Sequence, residues 1–168
     1  IGDVVVSAAP GGTASISATT DVSCNGGSDG TATVSMSGAF PPYSYQWDAA
    51  AGNQITNPAI GLGMGLYGVN VTDAYGCVMT TAANITEPTP LTTTLTQNNT
   101  VCPNSCDGTA TATPSGGTSP YYYLWNDPST QITPTAVSLC LGTFTVQITD
   151  TKGCIVSDSI VINNHPAM

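Results

Sequence analysis

Six cysteines, a set of recurring aspartates, one histidine and one lysine are the residues of this chain that could do chemistry. The cysteines are Cys24, Cys77, Cys102, Cys106, Cys140 and Cys154. An even number of thiols in a chain with one histidine reads as a disulfide framework, and so as an oxidising, extracellular compartment. Zinc is the rival reading, but it needs clustered thiols, and Cys102 and Cys106 are the only close pair. Asp29, Asp73, Asp107 and Asp150 recur in turn-like segments. Carboxylates there either ligate calcium or accept hydrogen bonds from their own backbone. No dense D-x-[DN]-x-D cluster is present, so calcium stands as the weaker reading and no other cofactor is expected. Hydrolytic triads fail on inventory. His165 lies in a polar tail, Lys152 lies in a turn, and no thiol is left for nucleophilic work once all six are paired. The chain reads as a non-enzyme.

Composition narrows the partners. Lys and Arg together number one against ten Asp and Glu, giving a net charge of −9. Nucleic acid needs several cations on one face, and an anionic membrane surface needs the same, so both are excluded as partners. Charged residues are only 7% of the chain while hydrophobic residues are 40%, so the fold must rest on burial, backbone ladders and cross-links. No apolar run reaches the ~18–20 residues of a membrane span, and membrane insertion is not expected. The opening segment has no cationic stretch and does not read as an intact signal peptide.

The elements that would position these residues occur twice. Cys24-Asn-Gly-Gly-Ser28-Asp29-Gly30-Thr31-Ala32-Thr33 aligns with Cys102-Pro-Asn-Ser-Cys106-Asp107-Gly108-Thr109-Ala110-Thr111. Pro42-Tyr43-Ser44-Tyr45-Gln46-Trp47 aligns with Pro120-Tyr121-Tyr122-Tyr123-Leu124-Trp125. Tyr67-x-Val69-x-Val71-Thr72-Asp73-x-x-Gly76-Cys77 aligns with Phe144-x-Val146-x-Ile148-Thr149-Asp150-x-x-Gly153-Cys154. Two blocks share one offset and the last is shorter by a single residue, so one residue is lost after the Trp.

Within each copy the apolar residues alternate. Tyr45 and Trp47, like Tyr123 and Trp125, fall on one strand face and are expected as core aromatics rather than a sugar-stacking platform. Tyr75 and Tyr122 point away from that face or lie in a loop, and are the better contact residues. The Asp-Gly pairs read as tight turns, since glycine tolerates positive φ. No helical stripe persists. The expected fold is all-β, two tandem immunoglobulin-like β-sandwich repeats with disulfides. Residues 1–12 form an N-terminal strand extension, 13–88 the first sandwich and 89–168 the second.

These motifs resemble the SprB repeat family, tandem repeats of surface adhesins in gliding bacteria. The matching pattern is Val-x-Cys, Asp-Gly-x-Ala, Gly-x-x-x-Pro-Tyr-x-Tyr-x-Trp, Leu139-Cys140-Leu141-Gly142 and Val-Thr-Asp-x-x-Gly-Cys. The first copy departs from it at Ser28 and Gly63. The resemblance implies a secreted, cell-surface parent protein that is adhesive or filament-forming, with a role in gliding motility. It carries over no catalytic residue.

The repeat frame suggests a pairing. The first copy holds only Cys24 and Cys77, so its internal bridge would join them, and Cys102 would then pair with Cys154. Cys106 and Cys140 remain, and their counterparts Ser28 and Gly63 have lost sulfur together. One tension stands: straight strands would put the first and last cysteines of a copy at opposite poles. Val4, Val5 and Val6 fall one period before the last strand of a repeat, and so read as a strand without a partner. That strand either adds to a neighbouring chain, folds back on the first repeat, or belongs to a longer array. The expected function is a stiff, disulfide-stapled repeat unit of an adhesin or filament, partnered by copies of itself or by neighbouring repeats. The alternative is a module that binds surface glycans.

Overall fold

The computed structural model of the chain describes residues 11–102 and 105–164. Val4, Val5, Val6 and His165 lie outside the described residues. The described chain divides into two compact units: 11–22 with Gly26–Glu87, and Ser23–Asn25 with the chain from Pro88 onward.

The first unit has six strands: β1 (Thr13–Thr20), β2 (Gly30–Ser37), β3 (Ser44–Trp47), β4 (Ala59–Leu62), β5 (Gly65–Thr72) and β6 (Val78–Ile85). The second repeats the order with β7 (Thr92–Asn98), β8 (Gly108–Ser115), β9 (Tyr121–Trp125), β10 (Thr135–Leu139), β11 (Gly142–Asp150) and β12 (Ile155–Ile162). In the first unit, β1-β2-β4 form one antiparallel sheet and β3-β5-β6 the other. In the second, β7-β8-β10 and β9-β11-β12 do the same. This is the A-B-E and C-F-G partition of the immunoglobulin sandwich, so each unit is immunoglobulin-like by strand order. Tyr67, near the start of the F-equivalent strand, donates its hydroxyl to the Gly63 carbonyl at 3.1 Å, as the tyrosine corner of such sandwiches does. Its counterpart Phe144 has no hydroxyl to donate.

Period-two alternation produces the layers. In β2, Ala32 and Val34 are buried while the alternating Thr31 and Thr33 are not, and in β5 Tyr67, Val69 and Val71 are all buried. Each core is centred on a tryptophan, Trp47 at 0% exposure and Trp125 at 1%. The indole N–H is not stranded, because Trp47 Nε1 donates to the Thr56 carbonyl at 2.9 Å and Trp125 Nε1 to that of Thr133 at 3.0 Å. Tyr45 and Tyr123 pack against these cores from their margins.

Gly30 and Gly108 differ from the turn role expected of them. Both open strands β2 and β8 and both are buried. A Cβ on Gly30 would stand 2.7 Å from the Leu62 carbonyl oxygen and 2.8 Å from Ile85 Cγ2. On Gly108 it would meet Ile162 Cγ2 at 2.7 Å and the Leu139 oxygen at 2.8 Å. Close approach of strands, rather than a positive φ, demands glycine here. The aspartate loops match their turn reading: Gly76 (φ 82°) and Gly153 (φ 86°) are left-handed, and their N–H groups close back on Asp73 and Asp150.

A glutamine in each copy holds the loop that follows the tryptophan. Gln131 Nε2 donates to Asp127 Oδ2 at 3.0 Å and to the Val137 carbonyl at 2.9 Å, and its Oε1 accepts from Val137 N–H at 3.0 Å. Gln54 makes the matching pair of bonds to Ile60. An amide side chain thus imitates one rung of a strand ladder, donating and accepting at once. Gln131→Ala should lower the unfolding free energy by about 1 kcal/mol. Gln131→Glu should lower it further at pH 7, because it sets a second carboxylate against Asp127 and the Val137 carbonyl. Urea titration checks the order, and a Gln131→Glu protein as stable as the parent would refute the role.

Candidate cross-linking and contact residues

The cysteines are the residues with the most consequential placement. Cys106 is bonded to Cys140, joining the loop before β8 to the loop between β10 and β11. Cys24 is bonded to Cys154, with Cα atoms 5.6 Å apart and 130 residues between them in sequence. Cys77 and Cys102 are free and exposed. The copy-internal bridges Cys24–Cys77 and Cys102–Cys154 expected from the repeat frame do not form.

The reason is strand length. In the first unit Val22 N–H donates to the Thr86 carbonyl, and Asp21 accepts from Thr86 N–H, so the chain around 21–22 lies beside the far end of β6. Cys77 immediately precedes the other end of that eight-residue strand. A strand rises about 3.3 Å per residue, which puts the two poles roughly 25 Å apart. A disulfide tolerates a Cα–Cα separation of about 4.4–6.8 Å. The second unit is built alike: Thr100 N–H donates to the Asn163 carbonyl beyond the end of β12, and Cys154 precedes its start at Ile155. Residues 23–25 instead join the second unit, where Asn25 Nδ2 donates to the Pro88 carbonyl at 3.2 Å and Cys24 reaches Cys154.

The four aspartates separate into two kinds. Asp73 and Asp150 are buried, and each closes its own hairpin loop. Asp150 Oδ1 accepts from Lys152 N–H (2.8 Å) and Cys154 N–H (2.9 Å), and Oδ2 accepts from Thr118 N–H at 2.8 Å. Asp73 Oδ1 accepts from Tyr75 and Cys77 N–H, both at 2.9 Å, while Oδ2 has a long 3.5 Å contact from Phe40 N–H. Asp107 is exposed and accepts from Ser105 Oγ at 2.6 Å and Val101 N–H at 3.2 Å, and Asp29 is an exposed neighbour of Gly30. Among the described residues no three His, Cys, Asp or Glu side chains gather into a group able to hold a metal ion. Sequence reading missed Asp127. It is 3% exposed and accepts from Ser129 N–H, Gln131 N–H and Gln131 Nε2. Its signal was the Asp-x-x-x-Gln spacing directly after Trp125-Asn126.

Trp47 and Trp125 offer no open ring face. Among the described residues the exposed rings are Phe40, Tyr75 and Tyr122, at 43%, 76% and 61%. Tyr75 meets Phe40 edge-on with centroids 4.9 Å apart.

The Cys77 backbone N–H, ahead of smaller opposing and assisting effects, holds the Asp73 carboxyl below the ordinary aspartate range. Burial pushes Asp150 up, but the N–H groups of Thr118, Cys154 and Lys152 together hold it below that range as well. A depressed folded pKa gives stability that is complete above the unfolded value near 3.9 and is lost as pH falls through the folded value. Stability should therefore decline below about pH 4. Asp150→Asn should lower the thermal midpoint at neutral pH more than Asp73→Asn, because an amide nitrogen would replace the oxygen that Thr118 N–H needs. Scanning calorimetry of both variants against pH tests this, and equal midpoints for the two would contradict it.

No helix among the described residues is long and apolar enough to cross a membrane. No curated protein matches the chain. Several solved structures of immunoglobulin-domain proteins are similar to it. The two-domain DIP-gamma IG1+IG2 fragment has a TM-score of 0.41 at 10% identity, covering 92% of this chain and 99% of that one. The amphioxus IgVJ-C2 molecule has a TM-score of 0.35 at 14% identity, covering 74% and 89%. A Dscam isoform structure has a TM-score of 0.38 at 12% identity, covering 80% of this chain and 41% of that one. The strand order defines the fold independently of these likenesses. The model of the SprB repeat matches residues 16–52 and, one period later, residues 94–130.

Proposed function

We propose that the chain is a structural and adhesive repeat unit of an extracellular bacterial surface adhesin or filament, working as a load-bearing, disulfide-stapled tandem array and not as a catalyst. The observation that carries this reading is the Cys24–Cys154 bridge. It spans 130 residues and ties the beginning of the first copy to the end of the second. Tension applied along the chain passes from Cys24 directly to Cys154 and leaves the sequence between them outside the load path. An adhesin gains from such a shunt, because its repeats keep their folded surfaces while the fibre is pulled. The two matches to the SprB repeat support the surface setting, and the disulfides fit an oxidising one.

Single-molecule stretching between the two termini tests this. At roughly 3.5 Å per residue, unfolding of two unshunted copies would release about 25 nm each. The oxidised protein should instead show no step above about 10 nm, since only the strands outside the bridge can lengthen. Added reductant should restore the long steps. Long steps in the fully oxidised protein would overturn the proposal.

A further inference from the structure

Two thiols are unused, and each is the translational counterpart of a bonded one. Cys102 stands one repeat after Cys24, and Cys77 stands one repeat before Cys154. The bridge that forms joins the first cysteine of one copy to the last cysteine of the following copy. Shifting that rule forward by one copy requires Cys102 to meet the last cysteine of a next copy. Shifting it backward requires Cys77 to meet the first cysteine of a preceding copy. Both thiols are exposed, as such a role demands.

Their surroundings match those of the bonded pair. Cys77 and Cys154 each close an Asp-x-x-Gly-Cys turn, with N–H donated to Asp73 and Asp150 at 2.9 Å in both cases. Cys24 and Cys102 each follow a residue pair anchored to the end of the last strand of its copy, Val22 to Thr86 and Thr100 to Asn163. Neither thiol can be satisfied inside its own copy, for the same reason of strand length that keeps Cys24 from Cys77.

We propose that Cys102 of one chain forms a disulfide with Cys77 of a second copy, so that the chain polymerises covalently head to tail. The contact is heterologous: the surface that gives Cys102 differs from the surface that takes it, so each added copy presents a new free Cys102 and the series stays open. A second copy of the 168-residue chain offers the partner thiol through its own Cys77. The chemistry is thiol–disulfide exchange with a disulfide as oxidant, such as an oxidised disulfide oxidoreductase or oxidised glutathione. The Cys102 thiolate attacks one oxidant sulfur, forming a mixed disulfide and releasing the first oxidant thiolate. The Cys77 thiolate of the second copy then attacks the Cys102 sulfur and releases the other. Two cysteine protons pass to the two departing oxidant thiolates, and the oxidant takes up the two electrons. This bond depends on the repeat frame and the Cys24–Cys154 bridge, and is independent of whether the chain is adhesive.

Oxidation of the full 168-residue chain with oxidised glutathione, followed by non-reducing electrophoresis and peptide mapping, tests it. The expected result is a ladder spaced by one chain mass of 16.9 kDa, collapsed by reductant, with Cys77–Cys102 as the new linked peptide. Single variants sharpen the test. Cys77→Ser keeps only Cys102 free, and Cys102→Ser keeps only Cys77 free. Each alone should stay monomeric, and their equimolar mixture should give a dimer and nothing larger, at least 10-fold more abundant than in either alone. Free thiols in the parent chain after oxidation, a Cys77–Cys102 bridge confined to the monomer, or homodimers of each variant as abundant as the mixed dimer would each overturn the proposal.

Discussion

A disulfide can join Cα atoms only about 4.4–6.8 Å apart, and the strands of this fold are too long to bring the first and last cysteines of one repeat that close. β6 and β12 are each eight residues long, and a cysteine sits just before the start of each. The first cysteine of each copy, Cys24 or Cys102, follows a segment bonded beside the far end. From this single incompatibility the rest follows. Cys24 must leave its own copy to be bonded, and it finds Cys154. Residues 23–25 join the second unit as a result. Cys77 and Cys102 are left exposed.

The interior solves a different problem. With one Lys or Arg against ten Asp and Glu, the chain has almost no side-chain cations with which to neutralise its carboxylates. Backbone N–H groups do this work instead. Asp150 takes three of them, and Asp48 takes those of Ala51 at 3.0 Å and Gly68 at 2.6 Å. Charge-assisted bonds of this kind are about twice as strong as neutral ones. Those to Asp73 and Asp150 fix the turns after β5 and β11, the strands that carry the centre of each core, and those to Asp48 hold the loop after β3 against Gly68 of β5. In the second copy Asn126 accepts from Thr145 N–H at 2.8 Å, where Asp48 accepts from Gly68, so the bond survives even where the charge does not.

Much of this was legible in the residues. Alternation in Tyr45-Gln46-Trp47 and Val69-Asn70-Val71 gave strands β3 and β5 and the buried tryptophan, because a half-buried strand leaves a period-two trace. The Asp-x-x-Gly turns were legible because left-handed glycine is a local requirement. Gly30 was misread, since its need arises from Leu62 and Ile85, residues far along the chain. Gln54 and Gln131 were missed because a polar side chain acting as a ladder rung leaves no periodic mark. The pairing of Cys24 was misread for a similar reason. A repeat frame tells which positions are equivalent, but only the length of the intervening strands tells which of them can touch.

Cleavage of the oxidised, unreduced protein into peptides and assignment of the linked masses tests the central point most directly. The expected result is a peptide pair containing Cys24 and Cys154 and another containing Cys106 and Cys140. Linked pairs containing Cys24 with Cys77, and Cys102 with Cys154, would contradict it.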